Sequence, residues 1–413
     1  MTNTPQMKRR YRSGTAAWHM SKEAVDLSIT KIAKMTDMEC INYLVIARFG
    51  ALDTARCNHC GTIGRHYWRV KELRWKCKGC GKTFSVTSGT VFANSRLPYQ
   101  GLLTAILLWL NSAAGQPATE LRRHMNWAYN TAFSLQHKIR EGFMRGHNIG
   151  LISGDIEMDG AHQSGYRAAE KRGQPQSKQR ANANLSAEEL TGKILTQTGK
   201  LSARKSSMNG GFHPEFGQRL DKNRRINLIV CKRTGKPGKG SSNTRVAVGL
   251  AESAPIVTSV VNEYIAFSES YLNTDASPAY TEIGKKFRAH RTVEHSKELS
   301  GPNGESNNQV EELNWRYDRA EKGIYLNLEP KYILDYTVEV AFRSDTRRLS
   351  NGQQLKLALH IAMNVGESKY WRGFTHGHHR EFELTHPTPL PAKASGPAKG
   401  KHPMSSKNGI PPR

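Results

Sequence analysis

Acidic residues are scarce in this chain, and long apolar runs are missing from it. Asp and Glu number 35 against 61 Lys and Arg, which leaves a formal net charge of +26. A surplus of that size opposes compaction by self-repulsion unless a polyanion neutralises it. Nucleic acid is the usual polyanion, because each phosphate neutralised releases a condensed counterion. A ribosomal or merely basic protein shares that charge, so charge alone does not decide. No stretch reaches the roughly 18 apolar residues a transmembrane helix needs; the longest, Leu102 to Leu110, is too short. The opening MTNTPQMKRRYRSG is basic with no apolar segment behind it, so no secretory signal and no membrane partner are expected. The expected location is the cytoplasm, at the nucleoid when DNA is bound. Cysteines number only six, four of them in two tight pairs. Without a secretory signal, that pattern favours a metal site over disulfides.

The periodicity divides the 413 residues into a basic arm and helix (1–54), the cysteine-pair segment (55–92), a helical segment (93–150), a strand-rich domain (151–365) and a Pro-, Gly-, Lys- and His-rich tail (366–413) expected to be disordered. Ile32, Met35, Met38, Ile41, Leu44 and Val45 recur at helical spacing. Residues 99–113 read as a buried helix, 117–124 as a short one opened by Pro117, and 129–144 as a third. That third helix carries Ala132, Leu135, Ile139 and Phe143 on one face, with His137, Lys138 and Arg140 on the other. From residue 152 the pattern alternates every second residue, which sets Asp155, Glu157 and Asp159 on one face of a strand. Residues 166–224 are poor in apolar side chains and rich in Lys, Arg, Gln, Asn and Ser, as expected of a basic insertion. Strands follow at 226–232 and 244–250, a helix at 254–264 and a strand ending at Asp275. Helices at 278–287, 306–321, 330–347 and 351–363 complete the pattern, an α+β or α/β arrangement.

Cys57-x-x-Cys60 and Cys77-x-x-Cys80 stand 16 residues apart around a hairpin-like segment containing Tyr67, Trp68 and Trp75. This is zinc-ribbon spacing, and four protein thiolates leave no open coordination position, so the Zn²⁺ is structural. Cys40 and Cys231 sit in apolar settings and read as core residues. Arg122, Arg123, Lys138 and Arg140 surround a helix, turn and helix, as in a helix-turn-helix-like segment that lays its second helix in a major groove of double-stranded DNA. Metal-assisted phosphoryl transfer needs carboxylates that hold two divalent ions about 4 Å apart. Asp159, Asp275 and Glu311 come from different elements and are candidates, although with 35 acidic residues spacing alone selects no trio.

Ordered motifs narrow the choice. Asn307-Asn308-Gln309-Val310-Glu311-Glu312, continuing to Arg319-Ala320-Glu321-Lys322-Gly323, resembles the third-acid region of DDE transposases of the insertion-sequence family called fifteen-ninety-five. Trp75 to Ser85, Ser88 to Phe92, Lys138 to Glu141, Glu157-Met158-Asp159, Ala341-Phe342-Arg343, Arg347-Arg348 and Ser350 to Gln353 are similar to further pieces of that family, in the same order. The resemblance implies an RNase H-like mixed-sheet catalytic domain after the zinc ribbon and helix-turn-helix-like helices. Asp159, Asp275 and Glu311 would then be the catalytic acids holding Mg²⁺, or Mn²⁺ in its stead. Asn308 shares the third position with Glu311, because the family sometimes carries asparagine there. His295 also matches a family position, and Arg319 matches a basic position suited to a phosphate. The chain departs from the pattern at His162-Gln163-Ser164-Gly165, Ala276, Glu312-Leu313-Asn314 and Asp318. The implied activity is cleavage and transfer of DNA strands at terminal inverted repeats by a homodimer or larger synaptic complex. The alternative is a DNA-binding regulator descended from a transposase whose catalytic site has decayed.

Overall fold

The computed structural model describes residues 18–164, 212–213, 218–219, 224–234, 240–249, 251–293, 306–326 and 328–371. His295, nearly all of the basic insertion and the tail beyond Trp371 lie outside the described residues. After a one-turn helix at Ile29–Ala33, α1 spans Asp37–Phe49. Thr36 and Glu39 start α1 with reciprocal side-chain-to-backbone bonds, and Gly50 ends it at φ 89°, a left-handed conformation that costs glycine little. The ribbon follows as three short antiparallel strands: β1 (Tyr67–Arg69), β2 (Arg74–Lys76) and β3 (Thr83–Phe84). Next come α2 (Tyr99–Asn111), α3 (Ala118–Met125) and α4 (Tyr129–Gly146).

The strand-rich region begins with β4 (Asp155–Ser164), β5 (Arg224–Arg233) and β6 (Ser241–Gly249). Helix α5 (Ala254–Tyr264) then crosses over to β7 (Tyr271–Asp275), and β8 (Ala289–Val293) lies beyond it. The five strands stand in the order β8-β7-β4-β5-β6. β8, β7 and β4 run parallel, while β5 and β6 are antiparallel to their neighbours. Helices α6 (Asn308–Ala320), α7 (Ile333–Asp345) and α8 (Asn351–Asn364) follow. A mixed five-stranded sheet with helices on both faces is the expected RNase H-like architecture.

Strand alternation divides the core. Ile156, Met158, Ile226, Leu228 and Val230 pack on Val257, Val260, Val261 and Tyr264 of α5. Ile229, Cys231, Val246 and Val248 face the opposite way and join a larger core with α1 to α4 and α6 to α8. The helical segment 93–150 is thus built into the core of the strand-rich domain, and Cys40 and Cys231 are core residues as expected.

Two expectations are corrected. Helix α4 is enclosed on most sides, because His137 and Arg140 are fully buried along with its apolar face. Residues 366–371 belong to the packed structure: Ser368 Oγ donates to Glu141 at 2.6 Å, the Lys369 amide donates at 2.7 Å, and Trp371 stacks on His137. Strand β8 was not anticipated, since Ala-His-Arg-Thr-Val shows little apolar character.

Candidate functional site

The two cysteine pairs form matching knuckles. In each, the amide two residues after the first cysteine points at its sulfur, His59 N to Cys57 Sγ at 3.4 Å and Gly79 N to Cys77 Sγ at 3.3 Å. Gly61 and Gly81 close the turns onto the Cys57 and Cys77 carbonyls at φ 77° and 70°, which explains glycine after each second cysteine. The sulfurs of Cys57 and Cys80 lie 3.8 Å apart and those of Cys60 and Cys77 3.5 Å apart. A tetrahedron with zinc–sulfur bonds of about 2.3 Å requires roughly 3.8 Å between sulfurs. The donor set and its spacing therefore fit structural zinc.

The basic residues proposed for DNA divide by exposure. Arg122 and Arg123 are exposed on α3. Lys138 is half-buried in a cleft that it lines with Arg96, Leu97, Asn130 and Ser134. Arg140 has no route to a phosphate. Its guanidinium is buried, bonds Glu339 at 2.8 Å and lies over the Tyr336 ring at 4.0 Å. Glu339 also receives Arg343 at 2.8 Å and the Tyr325 hydroxyl at 2.8 Å. Arg140 is therefore a structural cation joining α4 to α7, and its assignment as a DNA contact is withdrawn.

The carboxylates converge where β7 ends beside the middle of β4. β4 and β7 pair in register through Glu157 and Asn273, and two residues further along each strand are Asp159 and Asp275. Adjacent strands lie about 4.8 Å apart and side chains repeat every second residue, so the two aspartates sit side by side on one face. Carboxylate oxygens of Asp159, Asp275 and Glu252 all lie within 4.8 Å of one another. Glu252 comes from the turn between β6 and α5, and its carboxylate accepts the Tyr280 hydroxyl. Burial pushes the Glu252 carboxyl up to about 7, and the charges of Asp159 and Asp275 push the same way. Gly160 leaves room for it, since a Cβ there would come 2.8 Å from Glu252 Cδ. Clustered negative charge of hard oxygen donors is the chemistry that suits Mg²⁺.

Glu311, the expected third acid, is not a member of this cluster among the described residues. It lies on α6, which borders the site through another residue: Asn314 Nδ2 donates to Asp159 Oδ2 at 2.9 Å. The start of the same helix anchors to β4, with the Gln309 and Val310 amides donating to Glu157 Oε2 at 2.7 and 3.2 Å. Further along, Gln163 donates to Asp318 at 3.1 Å. Asn308 is exposed, and the Arg319 guanidinium stacks 4.4 Å from the Trp315 ring. Sequence reasoning missed Glu252 and Asn314. Glu252 sits in a turn with no motif around it, whereas Asn314 was visible as a departure three residues after Glu311, on the same helical face.

A zinc ribbon followed by an RNase H-like sheet, with carboxylates clustered beside its strands β4 and β7, is the class of architecture that the ordered motifs lead one to expect. Two family models specify it further: a transposase zinc-ribbon domain matches residues 35–83 and an ISXO2-like transposase domain matches residues 210–345. Two segments of the chain, in the expected order, are thus similar to the ribbon and the transposase domain of the insertion-sequence family its motifs resemble. Glu252, Asp275 and Glu311 fall inside the second match, and Asp159 precedes it. No curated protein and no solved structure matches the chain significantly.

Proposed function

We propose that this protein is a transposase that binds the terminal inverted repeats of its own element and cleaves and transfers their strands at Asp159, Asp275 and Glu252. The observation that carries this reading is the convergence of those three carboxylates within 4.8 Å, from the middle of β4, the end of β7 and the turn before α5, in a chain with segments similar to transposase-family domains. Mg²⁺ held there would supply Lewis acidity to the attacking and leaving oxygens of an in-line phosphoryl transfer. Asn314 fixes the orientation of Asp159, and Tyr280 that of Glu252. Glu311 or Asn308, on the same helix as Asn314, would contribute an acid or amide from α6 once DNA is seated. Arg122, Arg123 and Lys138 contact phosphates, which positions the duplex without reading its sequence. Holding two ends at once calls for a dimer or larger complex.

The test uses the full chain with labelled duplexes copied from the DNA flanking its own coding sequence. With Mg²⁺, nicked ends and joined strand-transfer products are expected. Tight binding without any cleavage would favour the regulator reading instead.

A further inference from the structure

Trp315 is 57% exposed, whereas Trp109 and Trp371 are buried. It stands on α6 one residue after Asn314, the amide bonded to Asp159. At about 100° per residue, Trp315 points within roughly 60° of Asp318 and 40° of Glu311 around the helix axis, on the exposed side of the helix whose Asn314 reaches Asp159. Arg319, one turn on, lays its guanidinium 4.4 Å from the indole centroid and has no carboxylate partner among the described residues. The neighbouring charges are otherwise matched: Arg316 pairs with Glu312, and Lys322 with Asp318. An exposed indole gains little from folding beyond its contact with the cation, and an indole backed by a cation offers a π surface and a positive charge. Unpaired nucleotides present the complement, a flat base linked to a phosphate.

We propose that Trp315 and Arg319 form a stacking platform for an unpaired DNA base beside the carboxylates, with the indole taking the base and the guanidinium its phosphate. The platform rests on the proposed function only for its neighbours; its own binding needs no cleavage. Bases that must leave the stack to bring a phosphodiester to the half-buried carboxylates would be held there, and every base has a π face to offer.

The test measures equilibrium binding of the full chain, without divalent metal, to a labelled oligo(dT) single strand and to a duplex of arbitrary sequence. Stacking on one aromatic is worth enough for Trp315→Ala to weaken single-strand binding about tenfold or more. Duplex affinity should stay unchanged and Trp315→Phe should retain most of the single-strand affinity. Trp315→Leu keeps apolar bulk without the π face and should behave like alanine, which guards against loss through unfolding; zinc content and circular dichroism check the fold. Unchanged single-strand binding in the alanine and leucine variants overturns the platform, as does equal loss on single strand and duplex. Absence of Mg²⁺-dependent cleavage would instead strike the transposase reading and leave this result standing.

Discussion

Asn314 Nδ2 lies 2.9 Å from Asp159 Oδ2, so the helix that carries Glu311 is tied to the first aspartate through an amide. An amide donor can hold a carboxylate in one orientation while leaving its second oxygen to a cation. Asp159→Asn and Asp275→Asn should therefore abolish Mg²⁺-dependent strand cleavage, by roughly a thousandfold or more if the metal contributes several kcal/mol to the barrier. Electrophoretic mobility shift should show DNA binding retained. Glu252→Gln should lower cleavage by at least about tenfold, and full activity in that variant would remove it from the site.

Zinc removal should act on stability and leave the carboxylate chemistry to follow. Metal analysis should find one zinc per chain. Cys77→Ser or treatment with a strong chelator should unfold residues 55–84, seen as new protease cleavage there, because such small modules fold on the binding energy of their ion. A chain that holds no stoichiometric zinc yet keeps its ribbon protected from protease would contradict the knuckle geometry.

The ribbon and α2 to α4 were legible because each rests on local pattern, cysteine spacing and helical periodicity, whereas Asp159 and Asp275 stood out among 35 acidic residues only through the resemblance of the motifs to a transposase family. Glu252 was not legible, because its role depends on where a turn after β6 arrives in space, and no periodicity encodes that. Arg140 shows the opposite failure. A basic residue on a helix reads as solvated, and only the positions of Glu339 and Tyr336 on α7, about 200 residues away in sequence, reveal it as a buried ion pair. Strand β8 was hidden for a third reason: a short parallel edge strand takes its order from β7 and carries little apolar signal of its own.

Arg140 and Arg123 should separate cleanly in mutagenesis. Arg140→Ala strands Glu339 in the core with one partner fewer, and breaking a buried pair from one side costs about 3–5 kcal/mol. Its thermal midpoint should fall by several degrees or more. Arg123→Ala, on the exposed face of α3, should change stability by less than about 0.5 kcal/mol and weaken DNA binding with a shallower salt dependence. A stable Arg140→Ala protein would refute the structural role.

Gly142 on α4 faces α8 so closely that an added Cβ would stand 2.8 Å from Ala362 Cα and 3.0 Å from Ala362 Cβ. Backbone cannot step aside as a flexible side chain can. Gly142→Ala should push the two helices apart and cost about 1–3 kcal/mol, despite alanine's better helix propensity. Denaturant unfolding measures this directly, and a neutral or stabilised variant would show that α4 and α8 do not approach so closely.

His137 should make the protein acid-sensitive. Its imidazole is buried among Phe133, Tyr332, Tyr336 and Trp371, with Nδ1 3.2 Å from Asp335 and Arg140 one turn along the helix. Burial, aided by the Arg140 charge, pulls its pKa down to about 4 against the pull of Asp335, so the ring is neutral in the fold at physiological pH. The unfolded chain binds a proton near pH 6.5 that the folded chain refuses until about pH 4. Stability from this group is thus fully present above pH 6.5 and drains away as the pH falls between those values, by up to about 3 kcal/mol. Glu339, held below the usual carboxylate range by Arg140 and Arg343 despite its burial, adds its own loss only at lower pH, below about 4.5. Chemical denaturation at pH 7.5 and pH 5 should therefore show a decline that shrinks in His137→Gln, whose side chain keeps a donor for Asp335 and takes up no proton. An equal decline in both proteins would assign the acid sensitivity to other groups.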